Sequence, residues 1–266
     1  MDFEIPFFFY HQGRRLATVS IELMRPVRNL GRVLDALESS GISVLGLTSW
    51  LPSGDSECVG FLMVVDTTGH GSDPGELVRK LSELPGVTNV RIWRSGIDGF
   101  AAMTPNGFPT FIGERVYVMP SVVFKSIYHA LYRSHGKTLF VILYLAGKAT
   151  GERAAELRSL FMDQEAEPLE SLVAILKVLG PPLGVLRDVE RLETNGDVTR
   201  LMVEDLADCV ALRELSPRAP TGHFLRGFIE GFMRSLGEPV EVFETECINL
   251  GHPSCEFELK RTGVHS

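Results

Sequence analysis

The chain has 266 residues, enough for two domains that each bury a core. With 44% hydrophobic and 23% charged residues it is a globular sequence, and its formal net charge of −8 argues against the basic surface that nucleic acid requires. No apolar run approaches the roughly 18 residues of a membrane span, and the longest, Leu139 to Ala146, falls well short.

Met1 to Tyr10 is apolar but carries Asp2 and Glu4 and has no basic n-region, so it does not read as a signal peptide and a cytoplasmic location is expected. In that setting Cys58, Cys209, Cys247 and Cys255 suit thiols or metal ligands better than a disulfide framework. Five Asn and two Gln, both heat-labile types, hint at a thermophilic source.

Residues 16–24 read as a strand from their β-branched content. Leu30, Val33, Leu34 and Leu37 then recur at helical spacing, and Gly41 ends that helix. Ile42 to Trp50 is a second strand, and the turn Pro52-Ser53-Gly54-Asp55 leads into a third, Cys58 to Val65. Pro74 to Leu84 is a helix with Leu77, Leu81 and Leu84 on one face. Pro85-Gly86 breaks it before a strand at Val87 to Trp93. The order β-α-β-β-α-β is the ferredoxin-like unit.

Gly96 to Gly113 is rich in Gly, Pro and small residues and reads as a linker. The expected organisation is therefore a domain at 1–95, a linker at 96–114 and a second domain at 115–266. In the second, Val122, Val123, Ile127 and Leu131 with Phe124, Tyr128 and Tyr132 form a helical stripe. Further helices are expected from Lys137 to about Met162, from Glu167 to Leu179 and from His223 to Leu236. Gly147 and Gly151, and again Gly227 and Gly231, stand four residues apart, which lets a neighbouring helix approach closely. Asn195-Gly196 marks a hairpin between Val185–Glu193 and Val198–Glu204. Strands at Val240 to Cys247 and Cys255 to Lys260 close the chain, giving an α+β domain with an antiparallel sheet beside helices.

The run Leu30-Gly31-Arg32-Val33-Leu34-Asp35-Ala36-Leu37, followed by Gly41-Ile42-Ser43-Val44, resembles ACT regulatory domains. That resemblance implies effector binding at the turn after the first strand, usually across a dimer. Here Met24-Arg25-Pro26-Val27 stands where the family has Asp-x-Pro-Gly, and the absent glycine removes the bare backbone an effector would approach. A dimerisation module without an effector is the preferred reading.

Three further segments resemble the vinyl-4-reductase family. They are Leu143-Tyr144-Leu145-Ala146-Gly147-x3-Gly151, His223-Phe224-Leu225-Arg226-Gly227-Phe228-Ile229-Glu230-Gly231, and Glu244-x2-Cys247-x3-Gly251-His252-x2-Cys255. The family includes sensory domains of aromatic-responsive activators, archaeal redox regulators and a protein linked to bacteriochlorophyll synthesis. It shares its fold with vesicle-tether subunits that hold an acyl chain. The common theme is an apolar pocket rather than one reaction.

In the aromatic sensors, Glu-x2-Cys-x7-Cys and an upstream cysteine hold a structural zinc. Carried over, the ligands here are Glu244, Cys247 and Cys255, a donor set that suits zinc. The upstream cysteine is replaced by Gly222, so His223, His252 or Cys209 would have to supply the fourth ligand. On a regular strand Glu244 and Cys247 face opposite sides, and a shared site needs a bulge. The alternatives are a buried strand face of Cys255, Phe257 and Leu259 with Cys247 as a small core residue, or a redox pair of Cys247 and Cys255.

Tyr128, Tyr132, Phe140, Tyr144, His223, Phe224 and Phe228 are the candidate ligand-binding residues, although the same types fill cores. No nucleotide, nicotinamide, flavin or hydrolase motif is present, and Gly69-His70-Gly71 has no partner in the sequence. The reading is a sensor of a small apolar or aromatic molecule, acting as a homodimer without direct nucleic-acid contact, with a separate protein partner as a further possibility. The alternatives are an enzyme or accessory protein for vinyl reduction of a tetrapyrrole, or a lipid-holding scaffold.

Overall fold

A computed structural model describes residues 8–50, 57–69, 74–102, 110–111, 114–160, 165–196, 198–215 and 217–262. The chain divides into two units, residues 1–117 and 118–266. None of the described helices is long and apolar enough to cross a membrane.

The first unit contains β1 (Phe8–Tyr10), β2 (Leu16–Met24), α1 (Pro26–Glu38), β3 (Ser43–Trp50), β4 (Cys58–Asp66), α2 (Pro74–Ser82), β5 (Val87–Arg94), β6 (Phe100–Ala102), β7 (Thr110–Phe111) and β8 (Glu114–Arg115). Its main sheet has the order β3-β4-β2-β5 with every pair antiparallel, the ferredoxin-like arrangement expected from the element order. Strand alternation explains the layering. Ala17, Val19, Ile21 and Leu23 of β2 join Val33 and Leu37 of α1 and Leu77 and Leu81 of α2 in one buried cluster. Gly41, with φ 70°, ends α1 in the left-handed conformation that favours glycine, and Ile42 N–H returns to the Leu37 carbonyl. At the turn after β2, Arg25 itself has φ 50° and Val27 is 96% exposed.

The opposite face of β2 is covered by a feature the sequence does not advertise. β1 pairs with β6 in a two-stranded sheet, and Thr18 Oγ1 donates to the Ala102 carbonyl at 2.7 Å. Leu16 and Val64 pack there with Ala101 and Phe9. Part of the stretch expected as linker is thus strand.

The second unit contains α3 (Ser121–His135), α4 (Thr138–Leu157), α5 (Pro168–Leu179), β9 (Asp188–Asn195), β10 (Val198–Glu204), α6 (Ala207–Leu212), α7 (His223–Ser235), β11 (Val240–Glu246) and β12 (Cys255–Arg261). The antiparallel sheet has the order β11-β12-β10-β9, and the β9–β10 turn is Asn195-Gly196 with Gly196 at φ 61°. α4 ends before the expected Met162, which lies outside the described residues, as does His70. One core lies between the sheet and α5 and α7, around Phe232, Phe257, Leu201 and Leu172. A second joins α3, α4 and α6 around Tyr128, Leu139, Phe140 and Leu212.

α4 and α7 meet backbone to backbone. A Cβ at Gly147 would lie 2.0 Å from the Phe224 carbonyl oxygen, and one at Gly227 would lie 2.0 Å from that of Tyr144. Gly151 and Gly231 are placed in the same way, against Phe228 and Lys148. This seam fixes the first turn of α4 beside the first turn of α7, where the candidate site lies.

A thiol cluster beside an aromatic cleft

The sheet delivers the first three candidate ligands. The register between β11 and β12 shifts between Glu244 and Glu246, an irregularity that breaks the strict alternation otherwise separating Glu244 from Cys247. Cys247 follows β11 directly and Cys255 opens β12. The turn between them is pinned by Leu250 N–H donating to the Cys247 carbonyl at 2.9 Å, with Gly251 in the left-handed conformation at φ 96°.

The fourth member comes from α6, a helix of six residues too short to show a period in the sequence. Cys209 Sγ lies 3.7 Å from Cys247 Sγ, 3.5 Å from Cys255 Sγ and 3.6 Å from a Glu244 carboxylate oxygen. All four ligand atoms fall within 4.8 Å of one another, and the three cysteines are fully buried. A tetrahedral zinc with Zn–S bonds of about 2.3 Å would separate its sulfurs by about 3.8 Å, so these spacings fit the ion. Of the three residues considered for the fourth position, Cys209 joins the cluster. His252 instead faces Glu246 at 3.5 Å, and His223 stacks on Phe140.

The position of Gly222 explains the change of donor. A side chain there would meet Phe257 at 2.6 Å, Leu206 at 2.9 Å and Glu244 at 3.1 Å. No cysteine fits at 222 without displacing that core. The surroundings hold the cluster in place: Gly222 N–H donates to Glu244 at 2.7 Å, and Asn249 Nδ2 donates to the Cys209 carbonyl at 2.9 Å and to Thr221 Oγ1 at 2.7 Å. Such outer contacts are what orient metal ligands.

The electrostatics point the same way. Burial, then repulsion from Cys247, pushes the Glu244 carboxyl up to about 9. Hydrogen bonding to Cys247 and Cys255, then burial, pushes the Cys209 thiol up. Among the described residues no Lys or Arg forms a salt bridge with Glu244. A buried group of three thiols and a carboxyl therefore stays largely protonated unless a cation displaces the protons.

Beside the cluster opens a cleft of about 250 Å³ lined by Lys137, Phe140, Ala219, Pro220, His223, Arg226, Phe243 and Glu244. The Phe140 and His223 rings stack with centroids 4.5 Å apart. Burial, then the charge of Arg226, lowers His223 to about 4, so its ring is neutral at neutral pH. Arg226 lies 4.7 Å over the Tyr144 ring. Lys137, Arg226 and Phe243 escaped the sequence reading, because charged residues at helix ends and one aromatic on a strand carry no local signal.

Of the seven candidate ligand-binding residues, Phe140 and His223 line this cleft. Tyr132 and Phe224 are half-buried in the adjoining helical core. Tyr128 is buried there and donates to Asp208 at 2.9 Å, and Asp208 also accepts from Phe224 N–H at 3.1 Å. Burial raises Asp208 to about 6. Tyr144 donates to Glu230, whose other oxygen accepts from Val242 N–H at 3.1 Å. Phe228 stacks on Phe232 within the sheet-side core.

Residues 202–261, from β10 through the end of β12 and including all four cluster residues, match the family model of the vinyl-4-reductase domain. No curated protein matches the chain. Among solved structures, the phenol-responsive sensory domain of the transcription activator PoxR, determined with phenol, has 22% identity. It aligns over 57% of this chain and 79% of its own, with a TM-score of 0.50, a likeness of fold. A vinyl-4-reductase family protein from Methanocaldococcus jannaschii has 18% identity over 56% of this chain and 85% of its own, with a TM-score of 0.38. Trafficking protein particle complex subunit 3 from Naegleria fowleri, bound to palmitic acid, has 10% identity over 54% and 93%, with a TM-score of 0.42.

Proposed function

We propose that the chain is a small-molecule sensor whose second unit binds an aromatic molecule in the cleft and holds a structural zinc beneath it. The observation that carries this reading is the sharing of Glu244: one carboxylate lines the cleft and belongs to the thiol cluster. Zinc on Cys209, Glu244, Cys247 and Cys255 would tie α6 to the last hairpin and so brace the cleft wall. With four protein donors the site is closed, which suits a structural rather than a catalytic ion. The fold shared with a phenol-responsive sensory domain supports an aromatic ligand. A cleft of about 250 Å³ suits one or two rings and is too small for a tetrapyrrole.

The ferredoxin-like first unit serves as an ACT-like dimerisation module. Exposed apolar residues on α3 and α4, including Val122, Val141 and Leu145, favour a homodimer. Ligand-observed NMR with phenol, toluene and naphthol tests the binding function. At least one probe should bind and should lose binding on Phe140→Ala, and an absence of binding by every probe would overturn the reading.

A further inference from the structure

Two polar atoms in the cleft wall narrow the class of ligand. Arg226 Nε and His223 Nε2 are buried and have no hydrogen-bond partner. A guanidinium N–H deprived of both water and an acceptor is costly, so its neighbourhood calls for an acceptor. Arg226 and His223 stand three residues apart on α7 and therefore share a face of the helix. Lys137, just before α4, borders the same opening. Among the described residues neither Arg226 nor Lys137 forms a salt bridge. The only carboxylate in the lining is Glu244, and its oxygens are engaged inward, one by Gly222 N–H and the other near Cys209 Sγ. The cleft thus presents two uncompensated cations and a ring nitrogen able to donate, against the aromatic surfaces of Phe140 and Phe243.

We propose that this cleft selects a small planar carboxylate, an aromatic acid of one or two rings, whose carboxylate is received by Arg226, His223 and Lys137. The proposal rests on the reading that the second unit binds a small molecule and narrows that molecule from a neutral aromatic to an acidic one. A carboxylate supplies acceptors for the Arg226 N–H and for His223 in its Nε2–H tautomer, and it matches the net positive charge of the opening. A neutral ring fills the same space and leaves the cations without a counter-charge.

Isothermal titration of the full-length protein with benzoate and 2-naphthoate, each against its amide, tests this. The expected result is that at least one acid binds about tenfold or more tightly than its amide and weakens with added salt. Arg226→Gln should abolish that preference, and Arg226→Lys should keep part of it. Because Arg226 also packs on Tyr144, exposed Lys137→Gln provides a second variant with little structural cost, and it should reduce the preference too. Amides binding as tightly as acids, or a preference unchanged in both neutral variants, would overturn the proposal while leaving the small-molecule reading intact. No binding by acids, amides or phenol would overturn both.

Discussion

Gly227→Ala provides a direct test of how the cleft walls are positioned. The added Cβ would stand 2.0 Å from the Tyr144 carbonyl oxygen and 2.9 Å from Lys148 N, all backbone atoms of α4 that no rotamer change can move. Real Cβ contacts essentially never fall under 3.0 Å, so α4 and α7 must part by about 1 Å at this point. A gap of that size forfeits roughly a quarter to a half of the contact attraction along the seam. Overpacking of this kind costs about 1–3 kcal/mol or more, against a gain of about 1 kcal/mol from the better helix propensity of alanine. The expected net loss is about 2 kcal/mol in the second unit, read by urea denaturation, with weaker ligand binding because Phe140 and His223 separate. Gly31→Ala is the control: nothing lies within 4 Å of its Cβ on α1, so it should stabilise the first unit by about 0.5–1 kcal/mol. If Gly227→Ala is as benign as Gly31→Ala, the close packing of α4 on α7 is wrong.

Cys209→Ser should remove bound metal and lower the melting temperature, whereas Cys58→Ser, in the first unit, should leave metal content unchanged by elemental analysis; equal loss in both would contradict the cluster. Asp66 has a lowered pKa: burial alone would raise it, and hydrogen bonds from Thr68 and Arg14 outweigh that. A folded-state pKa below the ordinary 3.8 contributes stability present above that value and lost as pH falls through the folded one. Asp66→Asn should therefore cost the first unit about 1–2 kcal/mol at pH 7 and nearly nothing in strong acid. An equal cost at both pH values would show that the effect is not electrostatic. Light scattering should give twice the 29.4 kDa of one chain, and a monomer mass at micromolar concentration would refute the homodimer.

Much of the fold is legible wherever a period or a turn residue dominates. Leu30, Val33, Leu34 and Leu37 announce α1, Asn195-Gly196 announces the β9–β10 turn, and the paired glycines of α4 and α7 announce close packing. The β1–β6 pair is not legible, because two three-residue strands some ninety positions apart carry no alternation of their own. Nor is α6, and with it the role of Cys209: six residues span less than two turns, and nothing in a lone cysteine says which hairpin it faces. The spacing from Glu244 to Cys255 does identify three members of the cluster, since one hairpin brings them together locally. The cleft resists sequence reading for the opposite reason. Lys137, Pro220, Arg226 and Phe243 meet only through tertiary packing, whereas candidates chosen for aromaticity, such as Phe228, fill the core instead.

The account rests on a metal-braced small-molecule site, and native mass spectrometry of the protein purified without chelator or an imidazole step tests it most directly. The predicted spectrum shows one zinc per chain that survives dialysis and is lost in Cys209→Ser, together with a mass shift when an aromatic probe is added. A bare polypeptide mass, unchanged by supplied zinc and by every probe, would contradict it.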